Sequence, residues 1–408
     1  MSHPQTAPNV LSFPQAQKCV EEHAASVAKP QIEAVSLLAS NGRILAEPLT
    51  ADRDFPPFPR STRDGYAVRS SDVASIPAQL KLMGQIKAGQ SFDKELHSGE
   101  CVEIMTGAPV PAGADAVVMV EFTGAAGDTI RINRSVAPGE NVVPKGSEAK
   151  SGQIILEAGI RLTHAQIAIA AAVGKSKLGV YAQPRISILP TGDEIVDIGQ
   201  APGPNQIRNS NSYSLAAQVE NAGGQPLQLP VAPDEKTNLR DLTERGLEAD
   251  LLVLSGGVSM GKYDLVEQVL AELGAEFYFT GAKIQPGKPV VFGKVRGKYF
   301  FGLPGNPVST MVTFELFVRP MIEALGGAKP SPLRFAQAAL KREFKTKTGL
   351  TRFLPAILSG GPERPEVELV AWQGSGDIAA MSKANCYLVI PEERESLAAG
   401  ESVSILLA

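Results

Sequence analysis

Between Arg185 and Leu325, apolar runs of strand length alternate with amphipathic stretches of helix length, and this order restricts the fold more than any other feature of the chain. RISILP, PLQLPVA, DLLVLSGG, PVVFGKV and KYFFGLP read as strands, with SYSLAAQVENAGG, DEKTNLRDLTERG and YDLVEQVLAELG as helices among them. Asp234 is the expected N-cap of the second helix, and Asn306-Pro307 opens a last one with Pro at its favoured first position. This alternation builds an open, doubly wound α/β sheet, and such sheets bind ligands beyond the C-terminal ends of their strands.

The flanks follow other patterns. A short helix is expected around residues 15–28, and IEAVSLLAS, within residues 31–45, reads as an amphipathic helix stopped at Asn41-Gly42. The proline-rich DFPPFPRST (54–62) cannot be a regular element, and residues 51–149 are short apolar runs cut by Gly and Pro, the pattern of an all-β module. Thr163-His164-Ala165-Gln166 forms a capping box that opens a helix through IAIAAAV, closed by Gly174. That unit matches the segment at 31–45 in style, so both are assigned to one layer, with the β-rich part inserted between them. The tail, residues 330–408, carries the short strands of a small β domain.

Composition excludes several classes. The chain has 408 residues, 43% apolar and 20% charged, which is globular material for two to four domains. A net charge of -4 gives no general attraction to nucleic acid or to an anionic membrane. Cys19, Cys101 and Cys386 are far apart and form no C-x-x-C, so they read as reduced thiols rather than disulfides or zinc ligands. The N-terminus lacks a signal-peptide pattern, and no apolar run reaches the roughly 18 residues of a membrane span, so a cytoplasmic protein is expected. The four histidines are isolated, which argues against a histidine metal site.

Gly257-Val258-Ser259-Met260-Gly261 fits G-x-S-x-G, the nucleophile elbow of serine hydrolases. The triad on that fold needs a histidine after the serine, and the last histidine here is His164. Without a base the Ser259 hydroxyl stays protonated and weakly nucleophilic. No G-x-G-x-x-G follows a strand, and GAKIQPGKP misses the P-loop spacing and has Pro after Lys288 where a Mg²⁺-binding hydroxyl belongs.

What remains is a set of Gly/Ser/Asn loops just after strands: Thr191–Glu194, Ser255–Ser259 and Leu303–Pro307, with IRNSNS opening a helix. Small residues let backbone N–H groups approach an anion, and helix N-termini add partial positive charge. A tight turn or cap explains any one loop equally well, but not all of them in one unit. Together they suit an extended, phosphorylated ligand. Glu194, Asp234 and Asp264 lie at or near these strand ends, and Asp64 sits in RDGYAVR. Carboxylates beside phosphates repel them unless a cation intervenes, and Mg²⁺ is held by one or two carboxylates plus substrate phosphates. Asp234 reads equally as a helix cap; Asp64 has no such alternative.

RDGYAVR, MTGAPVP, PTGDEI, IRNSNSY, SGGVSMGKYD, QPGKP and LPGNPVS stand in an order and spacing that resembles the molybdopterin molybdenumtransferase family, which includes the C-terminal domain of gephyrin. The resemblance covers nearly the whole chain. It implies a multidomain homodimer with a central molybdopterin-binding α/β domain (8–27 and 179–329), a linking domain (28–50 and 150–178), an inserted β-rich module (51–149) and a C-terminal β domain (330–408). It implies Mg²⁺-dependent insertion of molybdate into adenylylated molybdopterin with release of AMP, the substrate coming from a molybdopterin adenylyltransferase.

Carried over residue by residue, the resemblance makes Asp64, Thr106, Glu194, Asp234 and Asp264 catalytic positions, with Asp64, Glu194 and Asp264 as metal ligands and Asp64 and Thr106 reaching the site across the dimer interface. Asn209, Ser210, Asn211, Ser255, Gly256, Gly257, Ser259, Pro304, Gly305 and Asn306 would cradle the phosphates and pterin; Lys288, Arg352 and Ser375 match positions near molybdate. Arg63, Glu148 and Gln285 depart from the family pattern, where Met, Asp and Lys are common. None of the departures removes an essential charge. Two other readings share the fold: a non-catalytic scaffold, and insertion of tungstate, which no residue pattern separates from molybdate.

Overall fold

Leu251, Leu252, Val253 and Leu254 are all fully buried, because the strand Leu251–Ser255 lies inside a six-stranded sheet covered on both faces. The computed structural model describes residues 9–257 and 265–407. The sheet runs in the order Gln225–Gln228, Arg185–Pro190, Leu251–Ser255, Lys298–Leu303, Val291–Val295, Glu276–Phe279. Its first four strands are parallel and its last two antiparallel. Side chains alternate between two cores. Ile186, Ile188, Leu251, Val253 and Phe301 face the helices Phe13–Ala25, Asn211–Ala222 and Pro307–Thr313. Leu189, Leu252, Leu254 and Phe300 face Lys236–Gly246 and Leu265–Glu272.

The chain moves outward from Arg185–Pro190 to Gln225–Gln228, then returns past it to Leu251–Ser255. Between those first and third strands the winding reverses, and at that point the loops after the strand ends splay apart into a crevice. The helix expected from DEKTNLRDLTERG forms, but Glu235 caps it rather than Asp234: the Glu235 carboxylate accepts the N–H groups of Thr237 and Asn238.

The segment at 31–45 is not the expected helix. Ile32–Ser36 is a strand paired antiparallel with Lys177–Tyr181, followed by a short 3₁₀ turn, Leu38–Ser40. Only Val35 of the strand is even half-buried, so backbone pairing rather than an apolar stripe holds it. Leu49–Thr50 pairs with Ile154–Leu156, and the capping box on Thr163 forms with Gln166, opening His164–Ala172.

Between those pairings lies a six-stranded sheet in the order Ala116–Met119, Gly65–Val68, Glu100–Ile104, Ala78–Ile86, Thr129–Ile132, Thr123–Ala126, with a buried core on each face. Gly65 is required by close approach: a Cβ there would lie 1.9 Å from the Val118 carbonyl oxygen of the neighbouring strand. Gly65→Ala is therefore expected to destabilise the protein by about 2–3 kcal/mol, the scale of overpacking against backbone that cannot retreat. Urea unfolding checks this, and an unchanged midpoint would contradict it.

The C-terminal strands close on themselves. Thr351–Gly361, Arg364–Leu369, Phe335–Leu340, Ser402–Leu407 and Cys386–Ile390 pair in sequence, and Cys386–Ile390 returns to pair with Thr351–Gly361. The α/β part adds Ile284–Gln285 in parallel to Thr351–Arg352, which sets Gln285 beside Arg352. Among the described residues, no helix is long and apolar enough to cross a membrane.

Candidate active site

Loops from four sheet and helix ends meet at the crevice. The Thr191 N–H donates to the Ser255 carbonyl (2.9 Å), and the Gly192 N–H to the Ala232 carbonyl (3.1 Å). Asn211, the first residue of its helix, donates from Nδ2 to Ser255 Oγ (2.9 Å) and to the Gly305 carbonyl (2.8 Å). Asn209 Oδ1 accepts the Ser212 N–H (3.1 Å), fixing the turn that contains Ser210. One asparagine thus ties the Ser255–Gly257 loop to the Pro304–Asn306 loop. Asn211 Oδ1, Thr191 Oγ1 and Ser212 Oγ are buried with no partner among the described residues.

Gly256 and Gly257 both have left-handed backbones, at φ 94° and 65°. A Cβ on Gly256 would lie 2.6 Å from the Thr191 carbonyl oxygen, so no side chain can stand between these two loops. Pro304 is buried, and its carbonyl accepts the Thr310 hydroxyl at 2.5 Å. The Ser375 carbonyl accepts the Val308 N–H at 2.9 Å, bringing the loop before the helix Ile378–Met381 against the same corner.

Asp193, Glu194 and Asp234 gather on one side. The Asp234 N–H donates to Asp193 Oδ1 at 3.0 Å, and the Glu194 carboxylate lies over Gly192. Desolvation, with the charges of Asp193 and Glu194, holds the Asp234 carboxyl above the usual aspartate range. Asp193→Asn removes one of those charges and is expected to lower the Asp234 pKa; a carboxyl-carbon NMR titration with no downward move would contradict this. Thr191 and Asp193 belong to the Thr191–Glu194 loop that the sequence marks for anion binding, but of that loop only Glu194 carries an assigned role there.

Arg352 is only 6% exposed, and its one hydrogen bond given by the described residues runs from Nη1 to the Leu350 carbonyl at 3.1 Å. Burial lowers its pKa. No described carboxylate forms an ion pair with it, so its charge is available to an anion. Lys288 has an exposed side chain, while its backbone carbonyl accepts the N–H groups of Ala282 and Val290. The preceding Gly287 packs its backbone on Thr313.

Asp64 and Thr106 lie in the β-rich module. Asp64 Oδ1 accepts the backbone N–H of Thr106 (2.7 Å) and its hydroxyl (2.9 Å), the backbone bond being the main cause of a pKa below the usual range. Both residues are exposed, and their described hydrogen bonds stay within the module. Ser259 and Asp264 lie outside the described residues. Among the described residues, no three His, Cys, Asp or Glu side chains converge as a metal site.

Three family models match the chain: the MoeA N-terminal region (domain I and II) over 11–174, a "probable molybdopterin binding domain" over 187–324, and the MoeA C-terminal region (domain IV) over 337–408. The molybdopterin molybdenumtransferase of Haemophilus influenzae is 35% identical over 380 residues, 92% of this chain and 93% of its own. The chain belongs to the molybdopterin molybdenumtransferase family. A second relative of that name, from Bacillus subtilis, is 33% identical over 387 residues, 92% of this chain and 90% of its own. A molybdopterin biosynthesis MoeA protein from Pyrococcus horikosii, 35% identical, superposes with a TM-score of 0.72 over 98% of this chain and 99% of its own. A structure of 28% identity from Pyrococcus horikoshii OT3 reaches 0.79 over 98% and 100%. As a member of the molybdopterin molybdenumtransferase family, the protein is an enzyme of molybdenum cofactor biosynthesis.

Proposed function

We propose that the protein binds adenylylated molybdopterin across the crevice, inserts molybdenum from molybdate into its dithiolene and releases AMP, the last step of cofactor synthesis. The observation that carries this reading is the convergence of Ser255–Gly257, Asn209–Asn211 and Pro304–Asn306 on one point, tied by Asn211. Backbone N–H groups without intervening side chains, at the start of the Asn211–Ala222 helix, suit a pyrophosphate. The unpartnered Asn211 Oδ1 and Thr191 Oγ1 give a pterin or ribose hydroxyl polar groups to meet. Arg352, with Gln285 paired beside it, is a fixed cation for the molybdate dianion, and Lys288 and Ser375 are taken to join it there.

The carboxylates fit a hard divalent ion. Burial, with the charges of Asp193 and Glu194, raises the Asp234 pKa, and such repulsion is relieved by a cation. Bound there, Mg²⁺ would neutralise charge developing on the pyrophosphate as AMP departs. With no three-residue metal site among the described residues, its remaining ligands would come from phosphate oxygens, water, Asp264 and, in a homodimer, the Asp64 of the second subunit. The strand pairings at 49–50 with 154–156 and at 32–36 with 177–181 support a linking domain of 28–50 and 150–178 that carries the 51–149 module. The reading further takes the enzyme as a cytoplasmic homodimer supplied by a molybdopterin adenylyltransferase.

AMP release by the purified protein with adenylylated molybdopterin, Mg²⁺ and molybdate tests the reading. Release that depends on molybdate supports it. Tight nucleotide binding without AMP release would favour the scaffold, and faster turnover with tungstate would reassign the metal.

A further inference from the structure

Behind the site, a buried polar cluster joins the two helices that carry its loops. Gln218 stands seven residues after Asn211, two turns along the same helix face, so both meet the chain segment that runs from Gly305 to Glu315. Asn211 ties the two at the crevice through the Gly305 carbonyl. Gln218 ties them again deeper in: its Nε2 donates to the Met311 carbonyl (3.1 Å) and to Glu315 Oε1 (2.7 Å).

Glu315 lies in a π-helical turn, Phe314–Val318, in which every residue is buried. Such wide turns are rare and cluster at functional sites. Its carboxylate also meets Arg319 at 2.6 Å, and its neighbours Phe314, Leu316 and Phe317 pack in one core with Tyr387 of the C-terminal strands. A buried ion pair is a costly way to hold a core together, and an apolar one would serve stability as well. What the carboxylate supplies here is a directional acceptor for Gln218.

We propose that Gln218 is a positioning residue: through Glu315 and the Met311 carbonyl it fixes the separation of the Asn209–Asn211 and Pro304–Asn306 loops, and with it the fit of the bound nucleotide. This rests on the proposal that those loops hold adenylylated molybdopterin. Gln218→Leu removes both bonds while leaving Glu315 paired with Arg319 and the Met311 carbonyl bonded to the Phe314 N–H, so no buried charge is stranded. Glu315→Gln breaks the ion pair but keeps an acceptor for Gln218.

Steady-state kinetics of the full-length enzyme separates positioning from mere support. Partial loss of fold lowers kcat through the active fraction and leaves KM alone, whereas loosened loops raise KM. Gln218→Leu is expected to raise the KM for adenylylated molybdopterin about tenfold with kcat and the KM for molybdate near wild type, the scale of about one hydrogen bond's worth of fit. Glu315→Gln is expected to restore normal KM despite a lower melting temperature. A Gln218→Leu enzyme with wild-type KM, whatever its kcat, overturns the inference, as does a Glu315→Gln enzyme that matches its defect. Should the wild type release no AMP, the proposed reaction fails. The dissociation constant of the same nucleotide then carries the comparison of variants, and a wild type that binds no nucleotide overturns both.

Discussion

AMP release by the Asp64→Ala protein is expected to fall by about 10²–10³-fold, the loss that follows removal of one fixed electrostatic group from a site of this kind. The carboxylate is held by Thr106 on one oxygen, through the backbone N–H and the hydroxyl, and Oδ2 has no hydrogen bond from the described residues. Those bonds, the backbone one first, hold its pKa below the usual aspartate range and so favour the ionised carboxylate. The group is exposed, and its removal returns the Thr106 donors to water rather than burying them. The melting temperature should therefore stay close to wild type. Because the folded pKa is the lower one, the Thr106 bonds contribute stability above the unfolded pKa of Asp64 and lose it as pH falls through the folded value. A rate assay beside a thermal melt checks both halves. Wild-type turnover in the variant would remove Asp64 from the site, and collapse of the fold would make it structural.

Arg352→Met is expected to raise the KM for molybdate by roughly 10–100-fold, the worth of a charge-assisted hydrogen bond or two in a shielded place. The same change should leave the protein as stable as wild type or more so. Among the described residues the buried Arg352 charge meets only the Leu350 carbonyl, and burial already lowers its pKa, so the folded state bears a desolvation cost that methionine avoids. A residue kept for architecture would show the reverse, a loss of stability with molybdate affinity intact. Titrating turnover against molybdate, together with urea unfolding of each protein, distinguishes the two patterns.

The α/β class was legible because burial on both faces writes itself into local sequence: DLLVLSGG and KYFFGLP are apolar without alternation, and their ends carry the glycines that the crevice needs. The loop at Ser255–Gly257 was equally visible, since φ values of 94° and 65° and a close approach to Thr191 leave room only for glycine, and so was the Pro304–Asn306 loop that precedes the helix at Pro307. Where local pattern competed with long-range pairing, it misled. Ile32–Ser36 has helix-like spacing of apolar residues, yet its partner Lys177–Tyr181 lies far along the chain and leaves most of it exposed. Asp234 has the residue type of an N-cap, but its N–H is taken by Asp193, and Glu235 caps the helix one position on. Nothing local announces that Gln285 will pair beside Arg352, that the C-terminal strands close into a ring, or that Phe314–Val318 widens into a π turn to hold Glu315. These depend on contacts between segments that composition and periodicity do not relate. Asp193 and Thr191 were within reach, because PTGDEI carries them beside Glu194; what was missing was the fold that turns Asp193 toward Asp234 and Thr191 over Gly256.

The stoichiometry of one reaction bears most directly on the proposed chemistry. Purified protein, adenylylated molybdopterin, Mg²⁺ and molybdate would be combined, with AMP and pterin-bound molybdenum quantified from the same samples over time. Coupled insertion predicts that the two rise together in a one-to-one ratio, and that neither rises when molybdate is omitted. AMP released without molybdenum in the pterin would make the crevice a nucleotide hydrolase site, and molybdenum bound with no AMP released would sever the insertion step from the carboxylates assigned to it.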